Sequence, residues 1–369
     1  MSVDVSGDGS GDIRDRCGAE NTQKPFQREA SHAKKKLMRL VTLVNSLDNI
    51  SYRYRVLPFE SRLRERGWEI SVISLSNNWL RRLPPLRTMR DADVVLLQRR
   101  LLPLSQVWLL RRAARRLVYD FDDAIFYHSS NSAKAPRSRR REKRFAAIVQ
   151  AADAVIAGND FLAQATRRLT DPAKVQRIPT CVDTKVYSSA KHAEHSGNLR
   201  LVWIGSASTV KALHGAAAHF AAIIHALPKV QLKLICDVFP TDLPIVIERC
   251  PWSAEREAAE LAQADVGMSW VPDTPWSQGK CGLKVLQYMA AGLPVIANSV
   301  GVHREMIVHG RTGFLADTAE EWAKATVALA GDAGLRRALG EEGRKRVSQQ
   351  YGPQLWGEQF VRVVEMGMG

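Results

Sequence analysis

At 369 residues, 45% apolar and 7% aromatic, the chain has material for about two globular cores. Its five cysteines, Cys17, Cys181, Cys236, Cys250 and Cys281, lie far apart with no C-x-x-C pair, which argues against a zinc site or a disulfide framework. The formal charge of +15 sits wholly in residues 1–198, where 36 basic face 21 acidic residues, because the 17 of each sign from Leu199 onward cancel.

A cationic half beside a neutral one points to an anionic partner for the former: a membrane surface, a phosphorylated substrate or nucleic acid. Residues 1–36, rich in Ser, Gly, Asp, Arg and Lys and without a signal-type apolar stretch, are expected to be a disordered extension. Met38 is then a candidate start of translation, and finding Met1 by N-terminal mass analysis would refute that. No run of ~18 apolar residues suggests a membrane span.

In chain order, "LMRLVTLV" (37–44) reads as a strand, and Val56, Leu57, Phe59 and Leu63 as a helix face stopped by Gly67. Strands follow at "WEISVISL" (68–75), "ADVVLLQ" (92–98) and "RLVYDFDD" (116–123), with a basic helix between the last two. "ADAVIAGN" (152–159) and "VQRIPTCVD" (175–183) complete the series, and the polar "SSAKHAEHSGN" (188–198) is a linker. The alternation then restarts with "RLVWIGS" (200–206), a helix over 210–227, "QLKLICD" (231–237) and a helix over 254–264 that Ser253 can cap. "DVGMSWVP" (265–272), "PVIA" (294–297) and "GFLA" (313–316) are further strands, and Thr318 with Glu321 forms a capping box. Strands alternating with helices predict an α/β fold with parallel, doubly wound sheets.

The stretch "GKCGLKVLQYMAAGLPVIA" (279–297) carries the clearest chemistry. Leu283, Leu286, Met289 and Ala290 fall at helical spacing, Gly292 ends the helix and Pro294 forbids its continuation. A helix start exposes unpaired N–H groups and a positive dipole end, so Gly279, Lys280, Cys281, Gly282, Leu283 and Lys284 together suit a phosphate. The same residues are alternatively read as a strand-connecting loop with solvated lysines. A second candidate phosphate loop is "WIGSAST", with Gly205, Ser206 and Thr209 between a strand and a helix. No P-loop is present, and no G-x-G-x-x-G follows a predicted strand. The carboxylates of "YDFDD" could hold Mg²⁺. We favour a strand end in which one aspartate pairs with an arginine. The run "RSRRREKR" (137–144), usually a solvated helix face, here suits a membrane or a polyanionic acceptor.

"GKCGLKVLQYMAAGLPVIANSVGVHREMIVHGRTGFLAD" resembles the C-terminal signature of family 4, group 1 retaining glycosyltransferases, which have the GT-B fold. "SYRYRV", "VVLLQR", "LVYDFDDAIF", "PTCVD", "LVWIGSAST" and "EEW" extend the resemblance over nearly all of 37–352. It implies two Rossmann-like domains facing a cleft: 37–190 for the acceptor, 199–352 for a nucleotide-sugar donor, and a helix over 353–369 crossing back. It also implies no metal and no cofactor, since the nucleotide-sugar is a co-substrate and the helix start with its basic side chains steadies the leaving diphosphate.

Carried over residue by residue, the family's E-x7-E pair falls on Gly279 and Gln287, neither of which is a glutamate. Gln287 can still accept a ribose hydrogen bond, but Gly279 offers no nucleophile, leaving a front-face route in which the departing phosphate helps to deprotonate the acceptor. Lys211 lies near the family's basic residue, Trp252 and Ser253 where the base packs, and Arg53, Asp122 and Asp123 on the acceptor side. Glu305 matches the acidic residue after the family's "VG" turn. The expected activity is sugar transfer to a glycan or lipid-linked acceptor in cell-envelope or polysaccharide biosynthesis, in the cytoplasm or peripherally on an anionic membrane. The rivals are an epimerase of the same fold, whose acid/base set we cannot assemble here, and a degenerate, non-catalytic binding protein. Nucleic-acid binding through the basic half lacks any recognisable module.

Overall fold

The computed structural model describes residues 37–76, 78, 83–193 and 199–367. The extension over 1–36, with Cys17, and residues 194–198 of the linker lie outside the described residues.

Two parallel six-stranded sheets form the scaffold. The first contains β1 (Met38–Val44), β2 (Trp68–Ser74), β3 (Val94–Gln98), β4 (Arg116–Phe121), β5 (Ala154–Ala157) and β6 (Val175–Arg177), in the order β2-β1-β3-β4-β5-β6. The second contains β7 (Arg200–Ile204), β8 (Gln231–Ile235), β9 (Val246–Cys250), β10 (Val266–Ser269), β11 (Val295–Ala297) and β12 (Gly313–Leu315), ordered β12-β11-β10-β7-β8-β9. Helices cover both faces, which is why β3 and β5 are buried along their whole length and read as unbroken apolar runs. Strand order reverses beside β1 in the first sheet and beside β7 in the second, and at such a switch point the loops splay apart to leave a ligand crevice.

The last helix, Pro353–Glu365, packs on the helix Leu57–Glu65. Phe59 and Phe360 stack with centroids 4.5 Å apart, and Glu358 pairs with both Arg62 (2.7 Å) and Arg66 (2.6 Å).

Several expectations need correction. β9 has no counterpart among the predicted strands, because an edge strand with half-exposed Glu248 and Arg249 lacks the apolar signal of its neighbours. The helix expected over 210–227 is broken into a short turn of helix (Ala207–Val210), a 3-10 stretch (Lys211–Ala216) and a helix proper (Ala217–Ala226). Gly215 lies so close to the Trp270 ring that a Cβ would approach it to 2.2 Å. The helix expected from 254 runs only from Glu257 to Leu261, and the Ser253 hydroxyl donates to Glu255 (2.7 Å) instead of capping it.

Candidate functional site

A cavity of about 290 Å³ lies between the two sheets, at the C-terminal ends of β1, β3, β7 and β10. One wall is the helix Leu283–Ala290. Gly282 precedes it at φ +63°, a left-handed conformation that costs an L side chain energy, and any Cβ there would also meet Met306 Sδ at 2.5 Å. The chain thus enters the helix abruptly, and the first-turn N–H groups have no partner within the helix. The neighbouring wall is the turn after β7. A Cβ on Gly205 would strike the Trp203 ring at 2.3 Å, so glycine is required, and Thr209 Oγ1 accepts from Ser206 N–H (3.1 Å) to hold the turn.

Lys284 sits with Nζ 4.0 Å from the centre of the Trp203 ring. Desolvation, and next the charge of Lys280, push its ammonium down to about 7. Beneath it, His303 is buried and held at about 4, chiefly by desolvation. Its Nδ1 faces the Asn298 carbonyl (2.9 Å) and must carry the proton, which leaves Nε2 to accept from the Ser269 hydroxyl (3.1 Å). The cavity therefore gathers hydrogen-bond donors and lysines around a helix start, an anion-binding arrangement.

The opposite wall belongs to the N-terminal half. Arg99 pairs with Asp123, approaches Asp122 (3.5 Å) and donates to Ser51 Oγ (2.9 Å). Asp120 points instead into the core, clasped by Arg55 at 2.6 Å. The carboxylates of "YDFDD" are thus tied to arginines, as the favoured reading of that stretch expects, and Asp122 Oδ1 is left buried without a hydrogen bond. Polar contacts hold the halves together, Asn159 to the Lys280 carbonyl (3.0 Å) and Ser130 to Thr274 and Ser277 (3.1 Å each).

Of the sequence-predicted residues, Gly205, Ser206, Thr209, Lys280, Cys281, Gly282, Leu283, Lys284, Asp122 and Asp123 line this one cavity. Cys281 is there as packing: its thiol, raised chiefly by desolvation, belongs to the apolar core of the first sheet. The others fall elsewhere. Lys211 is exposed in the 3-10 stretch and does not line the cavity. Arg53 pairs with Glu257 (3.1 Å) and Trp252 donates to the same carboxylate (2.9 Å), while Ser253 contacts Glu255. Gln287 is buried on the helix itself and does not line the cavity, its Nε2 lying 3.1 Å from both Tyr54 and Tyr187 hydroxyls, and Tyr54 in turn donates to Glu257 (2.6 Å). Gln287 is thus committed to a knot joining the halves. The aromatic side chains that do line the cavity are Tyr54, Trp203, Trp270 and Trp276, and with Arg99 and His303 they are what the motif reading missed.

Gly279 is buried against the N-terminal half, where a Cβ would lie 2.5 Å from Ala124 Cβ and 2.8 Å from its nitrogen. The family's glutamate has no room there. Installing it, Gly279→Glu, is expected to cost about 1–3 kcal/mol or more through overpacking, read as a lower melting temperature. A variant of wild-type stability and higher activity would contradict this geometry.

The two-sheet arrangement around a cleft is the GT-B fold, and solved structures share it. Sucrose-phosphate synthase from Thermosynechococcus elongatus superimposes with a TM-score of 0.68 at 18% identity, covering 88% of this chain and 98% of that one. HepE of Anabaena, solved in complex with UDP-glucose, gives 0.68 at 16% identity over 89% and 99% of the two chains. Residues 198–332 match the family model described as Glycosyl transferases group 1. Among curated proteins, alpha-maltose-1-phosphate synthase of Mycolicibacterium smegmatis is 28% identical over 239 residues, 55% of this chain. The match spans 60% of that relative's length. The chain therefore resembles the group 1 glycosyltransferases of the GT-B fold.

Proposed function

We propose that this protein is a glycosyltransferase that moves a sugar, with retention of configuration, from a nucleotide-sugar to a glycan or lipid-linked acceptor. The observation that carries the proposal is the convergence of the Gly205–Thr209 turn, the helix start at Leu283, Lys280 and Lys284 on one cavity at the switch point of the second sheet. A diphosphate fits that chemistry, since its charge meets N–H donors and ammonium groups already in place. The aromatic faces of Trp203 and Trp270 offer contact area for the donor beside it.

In the reaction, the bond from the anomeric carbon to the diphosphate oxygen breaks as the acceptor oxygen bonds on the same face. The acceptor proton passes to the departing diphosphate, whose charge Lys280 and Lys284 neutralise. No protein nucleophile and no metal take part. The setting we propose is cell-envelope or polysaccharide synthesis in the cytoplasm, with the basic half resting on an anionic membrane; among the described residues no helix is long and apolar enough to cross one.

Because Lys284 is held at about 7, it is mostly neutral at pH 8, and a bound diphosphate restores its charge. UDP binding at pH 8 is expected to take up close to one proton, seen by calorimetry in buffers of differing ionisation enthalpy, and Lys284→Met is expected to abolish the uptake. Below pH 6 both proteins should bind without uptake, because Lys284 is already protonated. Uptake unchanged in Lys284→Met would place the diphosphate elsewhere. The occupied Gln287 and the crowded Gly279 favour a second reading, a donor-binding protein without turnover. Tight UDP-sugar binding with no release of UDP to any acceptor or to water would select it.

A further inference from the structure

The wall of the donor cavity contains a polar chain whose direction the fold fixes. β10 and β11 pair in parallel with Ser269 beside Ala297, and the next residue, Asn298, prolongs the ladder through its side chain. Asn298 Oδ1 accepts from the Val271 N–H (3.1 Å) and Nδ2 donates to the Val271 carbonyl (2.6 Å). The Asn298 carbonyl, held by this clasp, accepts from the Val300 N–H (2.8 Å) and from His303 Nδ1 (2.9 Å). A carbonyl only accepts, so Nδ1 bears the proton, while desolvation, with the charges of Lys284 and Lys280, keeps the ring neutral. Nε2 is then an acceptor, and it takes the Ser269 hydroxyl proton at 3.1 Å. Ser269, His303 and Asn298 are all buried, so these bonds are not readily traded for water.

Ser269 therefore presents only lone pairs. Among the described residues its oxygen accepts no hydrogen bond, and it lines the donor cavity together with His303. That polarity is opposite to the rest of the site. The first-turn N–H groups, Lys280 and Lys284 are donors that suit phosphate oxygens, whereas a phosphate oxygen at Ser269 would set acceptor against acceptor. A serine beside a histidine also describes a nucleophile and its base. Here, however, a ring held at about 4 takes up a proton poorly, and a carbonyl rather than a carboxylate backs its Nδ1.

We propose that Ser269 reads a hydroxyl group of the nucleotide-sugar beside the diphosphate, with His303 as the positioning residue that fixes its polarity. The proposal rests on the donor-site reading of the cleft and deepens it by naming the group that is read. The hydroxyl, of the ribose or of the transferred sugar, donates its proton to Ser269 Oγ. A ligand with hydrogen in its place leaves a buried oxygen without a partner, which such a site penalises.

Calorimetry on the full chain first finds which of UDP, GDP and ADP binds. The binder is then compared with its 2′- and 3′-deoxy forms, and its glucose conjugate with conjugates lacking one hexose hydroxyl. One of these deletions is expected to weaken binding to the native protein by at least about tenfold and to cost nothing further in Ser269→Ala. A ribose deletion assigns the hydroxyl to the nucleoside, a hexose deletion to the transferred sugar. His303→Gln, whose Oε1 can take the serine proton, is expected to keep the discrimination, and His303→Leu to lose it, with melting temperatures confirming that each variant folds. Imidazole 15N shifts of the unliganded protein are expected to show a protonated Nδ1 and a bare Nε2. The opposite tautomer would overturn the proposal, as would a discrimination that survives Ser269→Ala or no discrimination in the native protein. If none of the diphosphates binds, the donor-site reading falls as well, whereas binding that Ser269→Ala leaves equally selective overturns the hydroxyl assignment alone.

Discussion

Asp120→Ala is expected to destabilise the protein by about 3–5 kcal/mol, because it strands a charged Arg55 in the core. Both side chains are essentially inaccessible. Arg55 Nε and Nη2 reach the carboxylate at 3.1 and 2.6 Å, and Nη1 donates to the Ile178 carbonyl at 3.1 Å. The pair ties the helix Ile50–Arg55 to the end of β4, just before Asp122 and Asp123 enter the cleft. Denaturant unfolding of Asp120→Ala, Arg55→Met and the Arg55→Met/Asp120→Leu double variant distinguishes a stranded charge from lost packing. The double variant is expected to recover most of the loss, since an apolar pair of similar volume replaces a buried ion pair at little cost. A double variant as unstable as both singles together would show that the charge was not the cause.

Removing both cleft lysines, Lys280→Ala with Lys284→Ala, is expected to weaken nucleoside diphosphate binding by at least about 100-fold, since each charged contact to a phosphate is worth about 1.5–3 kcal/mol. The substitution at 284 has an opposite effect on the unliganded protein. An ammonium held at about 7 is disfavoured by folding, because the unfolded lysine titrates near 10.4. The penalty is complete below pH 7 and fades as pH rises towards 10.4, over the range in which the unfolded chain binds the extra proton. Lys284→Met is thus expected to melt at a higher temperature than the native protein at pH 6 and to lose that advantage by about pH 10. Equal melting temperatures at pH 6 would mean that Lys284 is better solvated than its place over Trp203 implies.

Local features of the cleft were legible in the sequence because they are made by residues close together in the chain. Gly205 to Thr209 and Gly279 to Lys284 are loops at strand ends, and glycine, hydroxyl and lysine at such places announce an anion site without knowledge of the partner. The parallel α/β architecture was legible for the same reason: its buried strands are continuous apolar runs. What stayed hidden depends on residues that the fold alone brings together. The family pattern placed Gln287 at the ribose and could not say that Tyr54, Tyr187 and Glu257 would meet it in the core. Trp252 and Arg53 were drawn off by that same carboxylate. Lys211 left the site because Gly215 packs under Trp270 and the chain tightens into a 3-10 stretch.

The donor site is tested most directly by the melting temperature of the native chain with a panel of nucleoside diphosphates and their sugars, with and without Mg²⁺, beside the Lys280→Ala/Lys284→Ala variant. One base is expected to stabilise the native chain by about 2.7 kcal/mol at a hundred times its Kd, without Mg²⁺, and the variant by about 0.4 kcal/mol or less at the same concentration. A native chain that no nucleotide shifts, or a variant that responds as fully as the native one, would contradict a diphosphate seated on the helix start at Leu283.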